Sequence, residues 1–112
     1  MRALLTMKDY FTAIFEYEFE TGSYGMETSE FTDEIIRNEV NRLTKHRKEL
    51  DFVESQAYVF IPGALRSRLL GYASIEAAVH KANNTPEDSY ILSNEGVYQV
   101  NDGVLTTIAC KV

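Results

Sequence analysis

The sequence predicts a single α+β domain over residues 1–112. It would hold an antiparallel sheet of four to five strands, one long helix, two short helices and a C-terminal β-meander. Three observations carry that expectation. Residues 10–21 alternate between apolar and polar side chains. Residues 30–50 repeat apolar positions at helical spacing, with acids first and bases last. The last quarter of the chain is a series of short apolar runs separated by Asn-Glu-Gly and Asn-Asp-Gly.

In 10–21, Phe11, Ala13, Phe15, Tyr17 and Phe19 fall on one face of an extended chain, and Thr12, Ile14, Glu16, Glu18 and Glu20 on the other. That alternation reads as a long half-buried strand with a wet glutamate face. Gly22-Ser23-Tyr24-Gly25 breaks it, and a loop continues through Ser29. The long helix follows over 30–50. Ser29 or Thr32 would cap it, Glu30, Asp33 and Glu34 lie in its first turns, and Lys45, His46, Arg47 and Lys48 in its last. That order of charge suits the helix dipole at both ends. Phe31, Ile35, Ile36, Val40, Leu43 and Leu50 supply the buried stripe.

A short strand over 56–61 is stopped by Pro62-Gly63. Residues 64–70 read as a short helix with Gly71 at C′. Ser74 caps a second short helix to about Ala82, with Ile75, Val79 and Ala82 facing inward. After a loop over 83–88, the meander runs through 90–92, 97–100 and 104–111, and Asn101-Asp102-Gly103 is a hairpin signal.

Charge is distributed unevenly. Residues 9–34 carry eight carboxylates (Asp9, Glu16, Glu18, Glu20, Glu27, Glu30, Asp33 and Glu34) and no lysine or arginine. The whole chain has a net charge of -6, so this stretch, at -8, exceeds the total and leaves the remainder at +2. Such a field repels nucleic acid and draws basic surfaces. With 45% hydrophobic residues and thirteen Tyr and Phe, the chain has the composition of a globular domain that forms a core without disulfides or a structural metal.

The lone Cys110 excludes an intrachain disulfide and points to a reducing compartment, with the thiol expected to be buried on the more apolar face of 104–112. No run is long enough for a signal peptide or a membrane span, so a cytoplasmic protein is expected. The sequon Asn83-Asn84-Thr85 is accidental in that setting.

No motif supports an enzyme. Glu16, Glu18 and Glu20 would stand about 6.5–7 Å apart along a strand face, a spacing that admits a divalent ion or an acid/base pair, but the lysine that common nucleases add is missing. Two histidines and one cysteine do not assemble a zinc site. Glu76 and His80 share a helix face and read as an exposed pair. Neither glycine cluster leads into Gly-Lys-Ser/Thr, and Ser67 and Ser74 have no activating context. The basic run Lys45-His46-Arg47-Lys48 is explained by the helix dipole.

The expectation is therefore a small, non-enzymatic, intracellular binding protein without cofactor or metal. Its partner-binding surface would be Glu16, Glu18, Glu20, Tyr24, Met26, Glu27, Glu30, Asp33 and Glu34, and its partner a basic, nucleic-acid-binding protein rather than nucleic acid or membrane. An inhibitor or adaptor fits, including local mimicry of phosphates by carboxylates, as in small phage-type proteins that block host defence enzymes (an analogy of composition). Two alternatives stand beside it. One is a self-associating domain that forms a homodimer through an exposed meander edge. The other is a small-ligand binder or enzyme with a cleft the sequence does not reveal.

Overall fold

The computed structural model describes residues 6–21, 34, 38, 41–42, 44–45, 49–61, 68–86 and 88–110. They form an α+β fold with a five-stranded antiparallel sheet, and they fall into two compact units, one up to Leu50 and one from Asp51 onward.

The first unit opens with helix α1, Met7–Thr21, where alternation predicts a strand. Its start is a capping box. The Asp9 N–H donates to Thr6 Oγ1 (3.3 Å), while Asp9 Oδ2 accepts from both the Thr6 N–H and the Thr6 hydroxyl, each at 3.1 Å. Two periodicities coexist in this segment. The buried positions Met7, Tyr10, Phe11, Ile14, Phe15 and Glu18 follow 3.6-residue spacing, with the small Ala13 buried beside them. Ile14, assigned to the wet face of a strand, is fully buried, whereas Tyr17, assigned to the core, is half-buried. Helical spacing wins because it gathers the largest apolar side chains, adds Met7 to them and begins at a cap.

Glu34, Asn38, Asn41, Arg42 and Thr44 are helical, in agreement with the middle of the predicted 30–50 helix. Lys45 is already in a turn and Glu49 in a bend, so the helical state does not extend to Leu50.

The second unit holds β1 (Ala57–Ile61), β2 (Arg68–Tyr72), α2 (Ile75–Asn83), β3 (Tyr90–Ser93), β4 (Gly96–Asn101) and β5 (Val104–Cys110). The strand order is β2-β1-β3-β4-β5, antiparallel throughout. β1 is entirely apolar and buried at all five positions, as an inner strand covered on both faces must be. Ala57, Val59 and Ile61, with Ile91 of β3, meet Ala78 and Ala82 of α2; Leu70, Tyr72, Val79, Tyr98 and Val100 flank that cluster. On the opposite face Tyr58, Phe60, Tyr90, Leu92, Val97 and Ala109 are buried as well.

β2 corrects the predicted helix over 64–70 for the residues that are described. Leu69 pairs with Phe60 and Leu70 with Val59, so the sheet claims two consecutive leucines, one per face. Gly71 is not a helix C′ residue. It lies opposite Tyr58, where an added Cβ would stand 2.8 Å from Ser55 Oγ and 3.1 Å from Tyr58 Cε1. Asp51 braces the approach to β1. Tyr58 Oη donates to the Asp51 carbonyl (3.0 Å) and accepts from the Asp51 N–H (3.2 Å), and the Phe52 ring meets the Tyr58 ring edge-on at 5.8 Å.

α2 begins as expected, with Ser74 Oγ accepting from the Ala77 N–H. Ile75, though, is 44% exposed, and the inward positions are Ala78 and Ala82 with Val79 half-buried, since residue 75 sits at the first position where the chain is still entering the helix. Ser93 builds the β3–β4 turn by accepting from the Glu95 and Gly96 N–H groups. The β4–β5 turn is the predicted hairpin. Asp102 and Gly103 both have positive φ, 51° and 80°, as a two-residue turn of the primed kind requires. The Gly103 N–H donates to Asn83 Oδ1 (2.9 Å), tying the hairpin tip to the end of α2.

Candidate docking surface

Of the residues proposed from sequence to bind a partner, Glu16, Glu18 and Glu20 lie on α1 rather than on a strand. Successive helical positions turn by about 100°, so residues 16 and 20 lie one turn apart on one side and residue 18 lies opposite them. The burial follows that geometry. Glu16 is half-buried, while Glu18 is 3% exposed and belongs to the buried stripe. The strand face that was to align Glu16, Glu18 and Glu20 does not exist, and Glu18 leaves the surface. Glu34 is exposed on a helical residue. The side chain of Glu20, and Tyr24, Met26, Glu27, Glu30 and Asp33, lie outside the described residues.

Asp9, one of the eight carboxylates in 9–34, has a structural role in the capping box, where a negative group at a helix N-terminus is favourable. The other end of α1 is different. Its last turn holds Glu18 and Glu20 and no base. Carboxylates at the negative end of the dipole oppose helix formation by about 0.3–1 kcal/mol each when exposed. That cost applies to an exposed acid and not to Glu18, which is buried. Among the buried groups of α1, loss of water pushes the Tyr10 hydroxyl up to about 12.

The remaining candidates resolve as structural residues. The His80 ring lies 3.3–3.5 Å from Asn84 Nδ2, which donates to the His80 carbonyl at 2.8 Å, so its neighbour is Asn84 rather than the Glu76 expected from spacing. Ser74 is an N-cap, and Asn83 of the sequon holds the hairpin tip. Lys45 is exposed; the other three residues of its basic cluster, and Ser67, are outside the described residues. Among the described residues no group of three His, Cys, Asp or Glu is arranged to hold a metal ion, and no helix is long and apolar enough to cross a membrane.

Cys110 is half-buried rather than buried. The reason is a β-bulge. Val97 pairs with Ala109 and Tyr98 with Thr107, which leaves Ile108 as the extra residue on β5 and reverses the alternation beyond it. The apolar face read from even positions is lost: Val104 is 63% exposed and Ala109 is the buried residue. The meander edge that sequence offered for self-association was not assigned to particular residues; on β5, the outer strand, Val104, Leu105, Thr106 and Thr107 are all exposed. The available signal was a seven-residue strand without a charge or proline.

No family model matches the chain, and comparison with curated proteins and with solved structures finds no significant similarity.

Proposed function

We propose that the chain is a non-enzymatic binding protein whose acidic N-terminal segment docks on a basic surface of a partner protein, with nucleic-acid-binding proteins as the partner class. The observation that carries this reading is the placement of acid without lysine or arginine over residues 9–34, with Glu16 half-buried and Glu34 exposed. The six carboxylates of that stretch other than the capping Asp9 and the buried Glu18 steer a cationic partner toward it and exclude phosphate backbones. The docking set is Glu16, Glu20, Tyr24, Met26, Glu27, Glu30, Asp33 and Glu34, with the buried Glu18 removed. Inhibition of a nucleic-acid-processing enzyme by occupying its phosphate-binding groove is the specific form this docking takes.

The test is affinity capture from the native host's lysate, with washes at low and then high salt, comparing wild type with the double reversal Glu16→Lys plus Glu34→Lys. Both positions are at least partly accessible, so the reversal leaves the buried stripe of α1 intact. The expected result is one stoichiometric basic partner that salt weakens and the reversal loses. Retention of that partner by the double variant at low salt overturns the proposal.

A further inference from the structure

We infer that β5 is a self-pairing edge, through which two copies of this chain join their sheets about a two-fold axis at Thr106. The inference concerns the second unit only and does not depend on the acidic docking surface.

β5 is the outer strand of the sheet, bonded to β4 on one side. Natural edge strands are kept from pairing by charge, proline, short length or a bulge that turns the edge away. The opposite edge, β2, carries the exposed Arg68. β5 has no charge or proline and is not short, and its one bulge, at Ile108, lies past the regular segment Val104–Thr107. It is the longest strand, its sequence is Val-Leu-Thr-Thr-Ile-Ala-Cys, and it carries no charge in a chain where 25% of residues do. Val104 and Leu105, 63% and 40% exposed, are two of the four exposed large hydrophobics among the described residues. They are adjacent, so one lies on each face of the sheet.

Charge and pattern select a second copy as the occupant. A strand without charge offers nothing to a basic or acidic segment. Two chains that each carry -6 repel, and pairing along β5 adds to that repulsion no like charges of the strand itself set face to face. The pattern of the strand is also self-complementary. Antiparallel pairing about a two-fold axis keeps each face of the joined sheet continuous, and side chains alternate with period two. The axis must therefore pass through a residue rather than between two. Centred on Thr106, it sets Thr106 against its own copy, Leu105 against Thr107, and Val104 against Ile108 at the bulge. Thr–Thr and β-branched pairs are favourable cross-strand neighbours. The turn at Asp102–Gly103 and the bulge at Ile108 bound the regular segment on its two sides.

Sedimentation equilibrium of purified protein over roughly 1–100 µM, the range of a micromolar self-association, tests this directly. Wild type is expected at twice the monomer mass. Thr106→Lys alone and Thr106→Glu alone place like charges on the axis and are each expected at the monomer mass, with unchanged far-UV circular dichroism. Their equimolar mixture is expected to recover the doubled mass. A monomeric wild type over the whole range, a variant that stays dimeric, or a mixture that stays monomeric overturns the inference. The double reversal at Glu16 and Glu34 is expected to leave the dimer unchanged, which separates failure here from failure of the docking proposal.

Discussion

Replacing Gly96 with alanine builds a Cβ 2.4 Å from the Ala109 carbonyl oxygen and 3.1 Å from the Cys110 Cα. Both obstacles are backbone, so no side chain can swing aside. Real Cβ atoms essentially never approach closer than 3.0 Å, so β4 and β5 must separate by about half an ångström where Gly96 faces Cys110 and Val97 faces Ala109. Overpacking of this kind costs about 1–3 kcal/mol, and a ladder hydrogen bond stretched at the site adds about 1. The expected loss is thus about 2–4 kcal/mol, on the order of 10 °C in Tm for a domain of this size.

Two other strand and turn glycines calibrate the argument. Gly71→Ala meets Ser55 Oγ at 2.8 Å, a side-chain oxygen that rotates away, and is expected to cost under about 1 kcal/mol. Gly103→Ala meets only Asn83 Nδ2 at 3.8 Å but must hold φ at +80°, worth about 1–2 kcal/mol. Urea unfolding of the three variants is therefore expected to rank Gly96→Ala as the least stable by a clear margin. An unaltered midpoint for Gly96→Ala, or a larger loss at Gly71, would refute the close approach of β5 to β4 on which the ranking rests.

Burial raises the Tyr10 hydroxyl from 10.0 to about 12. Between those values the unfolded chain releases a proton that the folded chain keeps, so stability is complete below about pH 10. It then falls as pH rises toward 12, by on the order of 2–3 kcal/mol. Tyr10→Phe removes this loss, and parallel alkaline stability curves for variant and wild type would contradict it. Ile14→Ala, at a position with no exposed surface, is expected to cost about 2–5 kcal/mol, whereas a strand with Ile14 on its wet face predicts almost no change on denaturant unfolding.

The segments that sequence predicts correctly share a local signal that tertiary contacts do not contradict. Ser74 before an apolar-periodic run gives α2, and Asn101-Asp102-Gly103 between two β-branched runs gives the β4–β5 hairpin. The five strands observed among the described residues fall within the four to five predicted, yet one member differs. Residues 10–21 leave the sheet and Arg68–Tyr72 enters it. In the first case the aromatic alternation satisfies two periods at once, and the deciding signal is the reciprocal Thr6–Asp9 cap just upstream of the segment. In the second, Gly71 is compatible with a helix end or a close strand approach, and only the pairing with β1 selects between them. The acidic segment was legible as composition. Its geometry was not, because the period determines whether Glu18 faces water or the core.

The two proposed surfaces are held together by different forces, and that difference makes them separable in one protein. Attraction to a basic partner acts between exposed charges and fades once the screening length falls below about 8 Å, near physiological salt and above. Pairing along β5 rests on backbone hydrogen bonds and apolar contact, which salt leaves in place, while the repulsion between two chains of -6 is screened by the same ions. Added salt therefore weakens the first association and favours the second. A protein with both surfaces moves from partner-bound toward self-paired as ionic strength rises. The joined sheets carry two acidic segments per assembly, so in dilute salt a partner with two basic patches is held more tightly by the pair than by one chain, provided the spacing of its patches lets both engage.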